Sequence, residues 1–311
     1  MNRDSSATNG AVRWSRRDLA LANAALAGAI FLWGSFYSSV EELLQTWDIF
    51  SATAGRTVLG TAILLLALLL REGPRAFSPT QPWRRIVLLG GVGFGLFCIF
   101  ITIGIGNAGT IASAFVATTT PIVTAFMARL ILKQRLRPQT LIGAALALAG
   151  GVLMALKGGV VEFHGGEILV FTAAVCFAWY SIMVPRWLPG YSQLSIAALT
   201  VGSGTMFTVL FWVFAWLFQV TEIRYEFSPR SIGLLVYIAV ASICLAVMFW
   251  NYGVVRLGAP VASLYSNLAP VFAALVAMVF GIYPTMMQIL GGAIILSGVI
   301  VAQHRRVERP G

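Results

Sequence analysis

The chain has 311 residues, of which 59% are hydrophobic and 10% charged, and its mean hydropathy is +0.86. A soluble domain carries roughly 25% charged residues, so this composition excludes a protein whose whole surface faces water. The net charge of +10 would suit nucleic acid, but the basic residues form short clusters between long apolar runs, which is typical of membrane loops and excludes a nucleic-acid-binding face.

Ten apolar runs are long enough to form transmembrane helices. A helix needs about 20 residues to cross roughly 30 Å of hydrocarbon. The predicted spans are 19–40, 48–70, 83–106, 108–132, 138–157, 166–187, 192–218, 230–253, 258–280 and 284–303. The sequence therefore predicts an all-α integral membrane protein of ten transmembrane helices joined by short connections.

The second half of the chain repeats the first. The segment 100–121 aligns without gaps with 249–270, and a shorter match relates 31–35 to 177–181. Each half holds five predicted spans, and because five is an odd number the two halves enter the membrane from opposite sides. Such an inverted repeat is typical of secondary transporters, whose substrate site lies near the midplane between the repeats.

These matches predict the organisation and orientation of the chain. We assign the first five-helix repeat to residues 19–157 and the second, inverted repeat to residues 158–303. Most of the 21 lysines and arginines fall on one side of the membrane when both termini are placed in the cytoplasm. The positive-inside rule therefore predicts cytoplasmic tails at 1–18 and 304–311.

Several of these features together resemble a known family. They are Trp33-Gly34-Ser35 in the first span, Arg56 in the second, and two repeated patterns, Ala112-Ser113…Pro121…Gly143 and Ala262-Ser263…Pro270…Gly292. With the internal duplication, the chain resembles the EamA family of the drug/metabolite transporter superfamily over its whole length. The resemblance implies a permease with a central cavity built by spans 1, 3, 4, 6, 8 and 9. Because the family includes bacterial aromatic amino acid exporters, it also implies a metabolite exporter of the bacterial inner membrane.

Spans 4 and 9 carry the most polar of the predicted faces. Ser263, Ser266, Asn267 and Pro270 are spaced as i, i+3, i+4 and i+7, which is one face of an α-helix. Pro270, like its counterpart Pro121 in span 4, is predicted to lie mid-helix and to free the carbonyl four residues earlier. The face then lines a cavity, or it packs helix on helix, as small residues often do in membranes. We favour the cavity, with Asn267 as the principal candidate.

Aromatic residues provide the second set of candidates. Trp33 and Trp179 match in the repeat and lie well inside their spans, where an indole N–H needs an acceptor that lipid lacks. The complete predicted cavity lining is Trp33, Ser35, Phe97, Phe100, Ser113, Thr118, Pro121, Trp179, Ser181, Phe249, Ser263, Ser266, Asn267 and Pro270. Together these side chains suit solutes with one polar end and one aromatic or aliphatic end.

Arg56 is the only charged residue clearly inside the predicted spans, since the others lie near span ends. Arg56 is an intramembrane ionisable residue and hence a functional candidate. Alternatively, it reaches outward and pairs with Glu41, Glu42 or Asp48, which is the interpretation we favour. No Asp or Glu lies deep in any predicted span, so we expect neutral or zwitterionic substrates and gradient-driven flux without a carboxylate proton relay.

Other classes of function fit the residues less well. An intramembrane enzyme is disfavoured because the sequence has no carboxylate pair, no clustered His or Cys ligands and no nucleophile beside a base, so we predict no cofactor and no metal. The alternative on the same fold is a nucleotide-sugar or lipid-carrier transporter or flippase, in which only Arg56 could contact phosphate. The expected partners are small-molecule substrates, namely amino acids, and membrane lipids. Paired glycines permit close helix contacts within one chain and are compatible with a monomer.

Overall fold

The structure is a computed structural model, and it describes residues 14–117, 119–133, 138–155, 165–220, 222–269, 272 and 286–303. All regular elements in these ranges are helices, and none of the described residues forms a strand. Within the described residues, six helical stretches are long and apolar enough to cross a membrane: Arg16–Leu43, Ile49–Glu72, Trp83–Ala108, Gly166–Trp187, Gln193–Leu217 and Pro229–Leu257. The described part of the chain is therefore an all-helical, multi-pass membrane protein, as the composition predicts.

The helices are numbered in chain order. They are α1 (Arg16–Leu43), α2 (Ile49–Glu72), α3 (Trp83–Gly90), α4 (Phe97–Ala117), α5 (Thr120–Leu132), α6 (Pro138–Ala155), α7 (Gly166–Trp187), α8 (Gln193–Leu217), α9 (Pro229–Ile238), α10 (Ala246–Leu257), α11 (Ala259–Ala262) and α12 (Met286–Gln303). Two π-helical segments, Gly91–Leu96 and Ala239–Leu245, join α3 to α4 and α9 to α10. They occupy matching positions when the offset of the gap-free alignment is extended to them, since 91–96 then corresponds to 240–245.

Side-chain caps define where several helices begin. Ser15 and Asp18 form a capping box at the start of α1. The Asp48 side chain caps α2 by accepting from the backbone N–H groups of Phe50 and Ser51. These caps satisfy N–H groups that have no acceptor within their own helix.

The predicted boundary between the third and fourth spans is wrong. The sequence places a turn at 107, whereas the helical assignment of α4 continues through this position to Ala117, and the next helix begins at Thr120. In the second half the matching boundary is present, because Gly258 has φ +79° and Pro260 follows in the first turn of α11. The first half has Ile111 where the second has Pro260, so it lacks this helix-breaking pair.

The prediction that Pro121 lies in the middle of a helix is also wrong. Pro121 is the second residue of α5, where the missing N–H removes no helical hydrogen bond. In span 9, a 3₁₀ segment, Ser263–Leu268, replaces part of the expected α-helix. With three residues per turn, Ser263 and Ser266 share a row and Asn267 is turned away from it. Pro270 lies outside the described residues.

Helix pairs from different halves form the closest contacts of the bundle. Among the described helices, α1 packs most extensively on α10, and α7 packs most extensively on α4. Glycines allow some backbones to approach closely. For example, a Cβ atom on Gly90 would lie 1.9 Å from Ser203 Oγ and 2.3 Å from the Thr200 carbonyl oxygen. The α3–α8 contact therefore requires glycine at position 90.

Candidate functional site

Four aromatic side chains from four helices meet in the middle of the bundle. Phe177 of α7 is central: its ring centroid lies 5.3 Å from that of Trp33, 5.0 Å from that of Phe97 and 5.2 Å from that of Trp250. Trp33 and Trp250 are 5.3 Å apart. We call Trp33, Phe97, Phe177 and Trp250 the aromatic cluster. Its edge-to-face and tilted contacts are favourable arrangements for rings.

Both indole N–H groups of the aromatic cluster have acceptors inside the protein. Trp33 Nε1 donates to the carbonyl oxygen of Ser242 at 3.0 Å, and Ser242 belongs to the second π segment. Trp250 Nε1 donates to Ser181 Oγ at 2.9 Å. The hydroxyl of Ser181 donates in turn to the Phe177 carbonyl oxygen at 2.8 Å. These bonds fix the orientation of two large rings whose N–H groups lipid could not satisfy.

A buried polar network lies beside the aromatic cluster. Tyr180 stacks on Phe177 with ring centroids 5.8 Å apart, and its hydroxyl lies 3.1 Å from Thr200 Oγ1. Asn251 Nδ2 donates to the same hydroxyl at 3.1 Å. Asn251 Oδ1 is buried and has no hydrogen-bond partner among the described residues. An acceptor of this kind is free to bind a donor group on a ligand.

Two more buried polar side chains are Asn267, in the 3₁₀ segment Ser263–Leu268, and Ser113, in α4. Asn267 is fully buried, and neither Nδ2 nor Oδ1 has a partner among the residues that the structure describes. Ser113 is also fully buried with no described partner for its hydroxyl. Ser263, in contrast, donates to the Pro260 carbonyl oxygen at 3.0 Å. Asn267 thus offers both a donor and an acceptor.

The structure brings together only some of the predicted cavity residues. Trp33 and Phe97 lie in the aromatic cluster, and Ser181 supports it. Ser35 bonds to the Leu32 carbonyl oxygen and to the Tyr237 hydroxyl. Ser266 is half-buried, and Thr118, like Pro270, is outside the described ranges.

Three predicted aromatic candidates lie elsewhere. Trp179 packs edge-on against Trp187, with ring centroids 5.5 Å apart. Phe249 is exposed on the bundle surface, and Phe100 packs on a second apolar core nearer to the start of α2. Trp179 and Ser181 are two residues apart and so point to nearly opposite sides of a helix.

The sequence prediction omitted Phe177, Tyr180, Trp250 and Asn251. Helical spacing could have found the first two. Phe177, Tyr180 and Ser181 are related as i, i+3 and i+4, so they share the face of α7 that Trp179 does not. The signal for Trp250 and Asn251 was weak because α10 carries aromatic residues on several faces.

Arg56 is buried in α2, two turns after its start. Only 2% of its surface is exposed, and Nη2 donates to Thr102 Oγ1 at 3.0 Å. The expected pairing with Glu41, Glu42 or Asp48 is wrong: none of the described carboxylates lies within ion-pair distance of Arg56. Asp48 caps α2 and also accepts from the Arg224 backbone N–H, whereas Glu42 pairs with Arg230.

Comparison of the sequence with known protein families identifies the family to which this chain belongs. The model of the EamA-like transporter family matches residues 20–156 and again residues 164–302. The chain belongs to the EamA-like transporter family. The resemblance carried by Trp33, Arg56 and the repeated proline and glycine patterns is therefore confirmed.

Curated relatives of similar length are also transporters. The chain is 24% identical to the uncharacterized transporter YyaM of Bacillus subtilis, covering 89% of this chain and 92% of that protein. It is 24% identical to a probable terminal-alkyne amino-acid exporter of Streptantibioticus cattleyicolor, and this match covers 92% of this chain and 94% of that protein. A solved crystal structure has the same fold, with a TM-score of 0.75 and 22% identity over 95% of this chain and 100% of that one. Family and relatives point to transport rather than catalysis.

Proposed function

We propose that this protein is a secondary transporter that exports amino acids, preferentially those with large apolar or aromatic side chains, across a bacterial inner membrane. The observation that carries the proposal is the aromatic cluster, which draws one ring from each of α1, α4, α7 and α10 and has unpaired amide atoms nearby. The similarity to a probable amino-acid exporter supports the same substrate class.

The aromatic cluster suits the apolar end of such a substrate. Aromatic rings bind other rings and aliphatic chains through large contact areas with few rotatable bonds. The buried amides of Asn251 and Asn267 provide hydrogen-bonding groups for a polar end. A site with apolar walls and a few placed polar groups is the usual form of a small-molecule site.

Alternating access between two inverted five-helix repeats is the proposed mechanism. The ten predicted spans, the family match to each half of the chain and the matching positions of the two π segments support this arrangement. The interrupted helices near Thr119 and Gly258 are the proposed points of bending, because regular helical hydrogen bonding stops there.

The proposed transport follows the substrate gradient. Among the described residues, the buried carboxylates are Asp48 and Glu167, and both lie at the start of a helix rather than in its middle. A proton relay through the membrane interior would need carboxylates at mid-depth. We further propose that the termini are cytoplasmic and that the monomer is the transporting unit.

The proposal is tested by flux in proteoliposomes. Vesicles that contain the protein should exchange labelled phenylalanine, methionine or threonine faster than empty vesicles, with little response to an imposed pH gradient. Trp33→Leu and Asn267→Leu should lower phenylalanine flux in well-folded protein, because they remove part of a ring surface and a hydrogen-bonding amide. Trp216→Leu is the matched control, since Trp216 is 58% exposed and lies outside the aromatic cluster.

The opposite result has a clear meaning. If the vesicles transport no amino acid but do transport a nucleotide sugar or a lipid-linked sugar, the protein is the alternative transporter or flippase on the same fold. Equal losses in Trp33→Leu and Trp216→Leu would contradict a binding role for the aromatic cluster.

A further inference from the structure

Arg56 is a buried cation with a hydrogen-bond donor that has no partner among the described residues. A guanidinium has five N–H donors. Here Nη2 donates to Thr102 Oγ1 at 3.0 Å, while Nε is buried and has no partner among the described residues. Thr102 Oγ1 donates its own proton to the Cys98 carbonyl oxygen at 2.8 Å, so it can only accept from Arg56. The groups that Arg56 contacts, Thr102 and Cys98, are neutral, and they leave the buried Nε without a partner among the described residues.

The described surroundings of Arg56 carry no carboxylate that would compensate its charge. Its guanidinium carbon lies 4.8 Å from the centroid of the Phe36 ring, and the Cys98 thiol is close by. No described carboxylate reaches it. A charge inside a membrane protein normally pairs with an opposite charge or faces a solute pathway, because its burial without a partner is costly.

Arg56 contacts residues that adjoin the aromatic cluster. Phe36, which the guanidinium faces, follows Trp33 of the cluster by three residues on α1. Cys98, which also interacts with the guanidinium, is adjacent to Phe97 of the cluster on α4. Trp33 and Phe36 are separated along α1 by a rise of about 4.5 Å, which is similar to the distance between the carboxylate and the ring of an aromatic amino acid.

We propose that Arg56 binds the carboxylate of the transported solute while the side chain of that solute occupies the aromatic cluster. This inference rests on the proposed function and names the group that the site recognises. The planar fork of an arginine matches a carboxylate with two parallel N–H···O bonds, which a lysine cannot reproduce. The site therefore selects amphipathic carboxylates, zwitterionic or anionic, and discriminates against the corresponding amides and amines.

The first test needs only the wild-type protein. Binding to the purified full-length chain in detergent is measured by tryptophan fluorescence and by thermal shift. The ligands are L-phenylalanine, 3-phenylpropionate, which lacks the amine, and L-phenylalaninamide, which lacks the carboxylate. The two carboxylates should bind, and the amide should bind about 30-fold more weakly or worse, as expected when one partner of a buried charge pair is missing. Equal binding of acid and amide overturns the proposal.

Variants then identify the residue. Arg56→Gln should weaken binding of both carboxylates by a similar factor and leave the weak binding of the amide unchanged. Arg56→Lys should recover part of the affinity, because it restores the charge without the fork. Arg71→Gln is the matched control, since Arg71 lies on the same helix at its exposed end. Equal loss for acid and amide in Arg56→Gln would make Arg56 a structural residue and overturn the proposal.

Two further outcomes separate this inference from the proposed function. If 3-phenylpropionate binds through Arg56 but no amino acid is transported, amino-acid export fails and the carboxylate site stands. If only uridine diphosphate binds and its binding needs Arg56, the guanidinium serves a phosphate, and both proposals are overturned.

Discussion

Tyr180→Phe tests how strongly the buried polar network holds the bundle together. Thr200 Oγ1 donates to the Ile196 carbonyl oxygen at 2.7 Å, so the Tyr180 hydroxyl must donate to Thr200 and accept from Asn251. Removing the hydroxyl leaves Thr200 with its donated bond intact. Asn251, however, loses the one bond that its amide makes to a described residue and stays fully buried.

The expected loss of unfolding free energy follows from the orphaned amide. Leaving a buried polar group unpaired costs about 1–3 kcal/mol in soluble proteins. Hydrogen bonds between membrane helices are weaker in double-mutant cycles, with a mean of about 0.6 and a maximum near 1.7 kcal/mol. The free-energy cost at Asn251 should lie near the upper end of this range, because its amide has no alternative partner among the described residues. The phenylalanine ring keeps the contact with Phe177, so no cavity cost is added. We expect Tyr180→Phe to lose about 1–2 kcal/mol.

The assay is reversible unfolding in mixed micelles, followed by tryptophan fluorescence, for Tyr180→Phe, Asn251→Leu and the double variant. Because the cost falls on an orphaned partner, the double variant should be less destabilised than the sum of the single variants, by about 1 kcal/mol. Tyr225→Phe is the control, since Tyr225 is 53% exposed. Additive single effects, or a Tyr180→Phe change as small as that of the control, would refute the reasoning.

Three other predictions concern packing, backbone and topology. Gly90→Ala should destabilise the bundle by about 1–3 kcal/mol, because the added methyl group overlaps α8. Gly233→Ala, which meets nothing within 4 Å, is its control and should be nearly neutral in the same unfolding assay. Gly258→Ala should cost about 1–3 kcal/mol of unfolding free energy from backbone strain at φ +79°, and an unchanged unfolding curve would contradict a strained position. Reporter fusions should read cytoplasmic at Arg75 and external at Glu162, and a cytoplasmic reading at Glu162 would break the inverted arrangement.

Composition and repetition were sufficient to predict the class of the molecule. Few charges and long apolar runs require a membrane, and the order of Trp33, Arg56 and the repeated prolines identified the family. Helix boundaries were harder, because apolar runs lie on both sides of residue 107 and α4 passes through this position without the predicted turn. In the second half, Gly258 at φ +79° and Pro260 end the helix, whereas the first half has Gly109 and Ile111 at the matching positions.

Individual side chains were predictable only where helical spacing decides their direction. Repeat symmetry pointed to Trp179 as the partner of Trp33, but the face of α7 that meets Trp33 carries Phe177. The pairing of Arg56 could not be read from the sequence either. Asp48 is close to it along the chain, but it is used as the cap of α2, and helix capping competes directly with ion pairing for the same carboxylate oxygens.

The packing of the helices also bears on how the two repeats can move. The first helix of the first half, α1, packs mainly on α10 of the second half, and its counterpart α7 packs mainly on α4 of the first. Trp33 on α1 donates across the same divide to the Ser242 carbonyl oxygen in the second π segment. The two halves therefore cannot separate as independent units without breaking these contacts. If transport proceeds by alternating access, the rigid units must each combine helices from both halves. The aromatic cluster, which takes one ring from each of α1, α4, α7 and α10, then lies at the boundary that opens and closes.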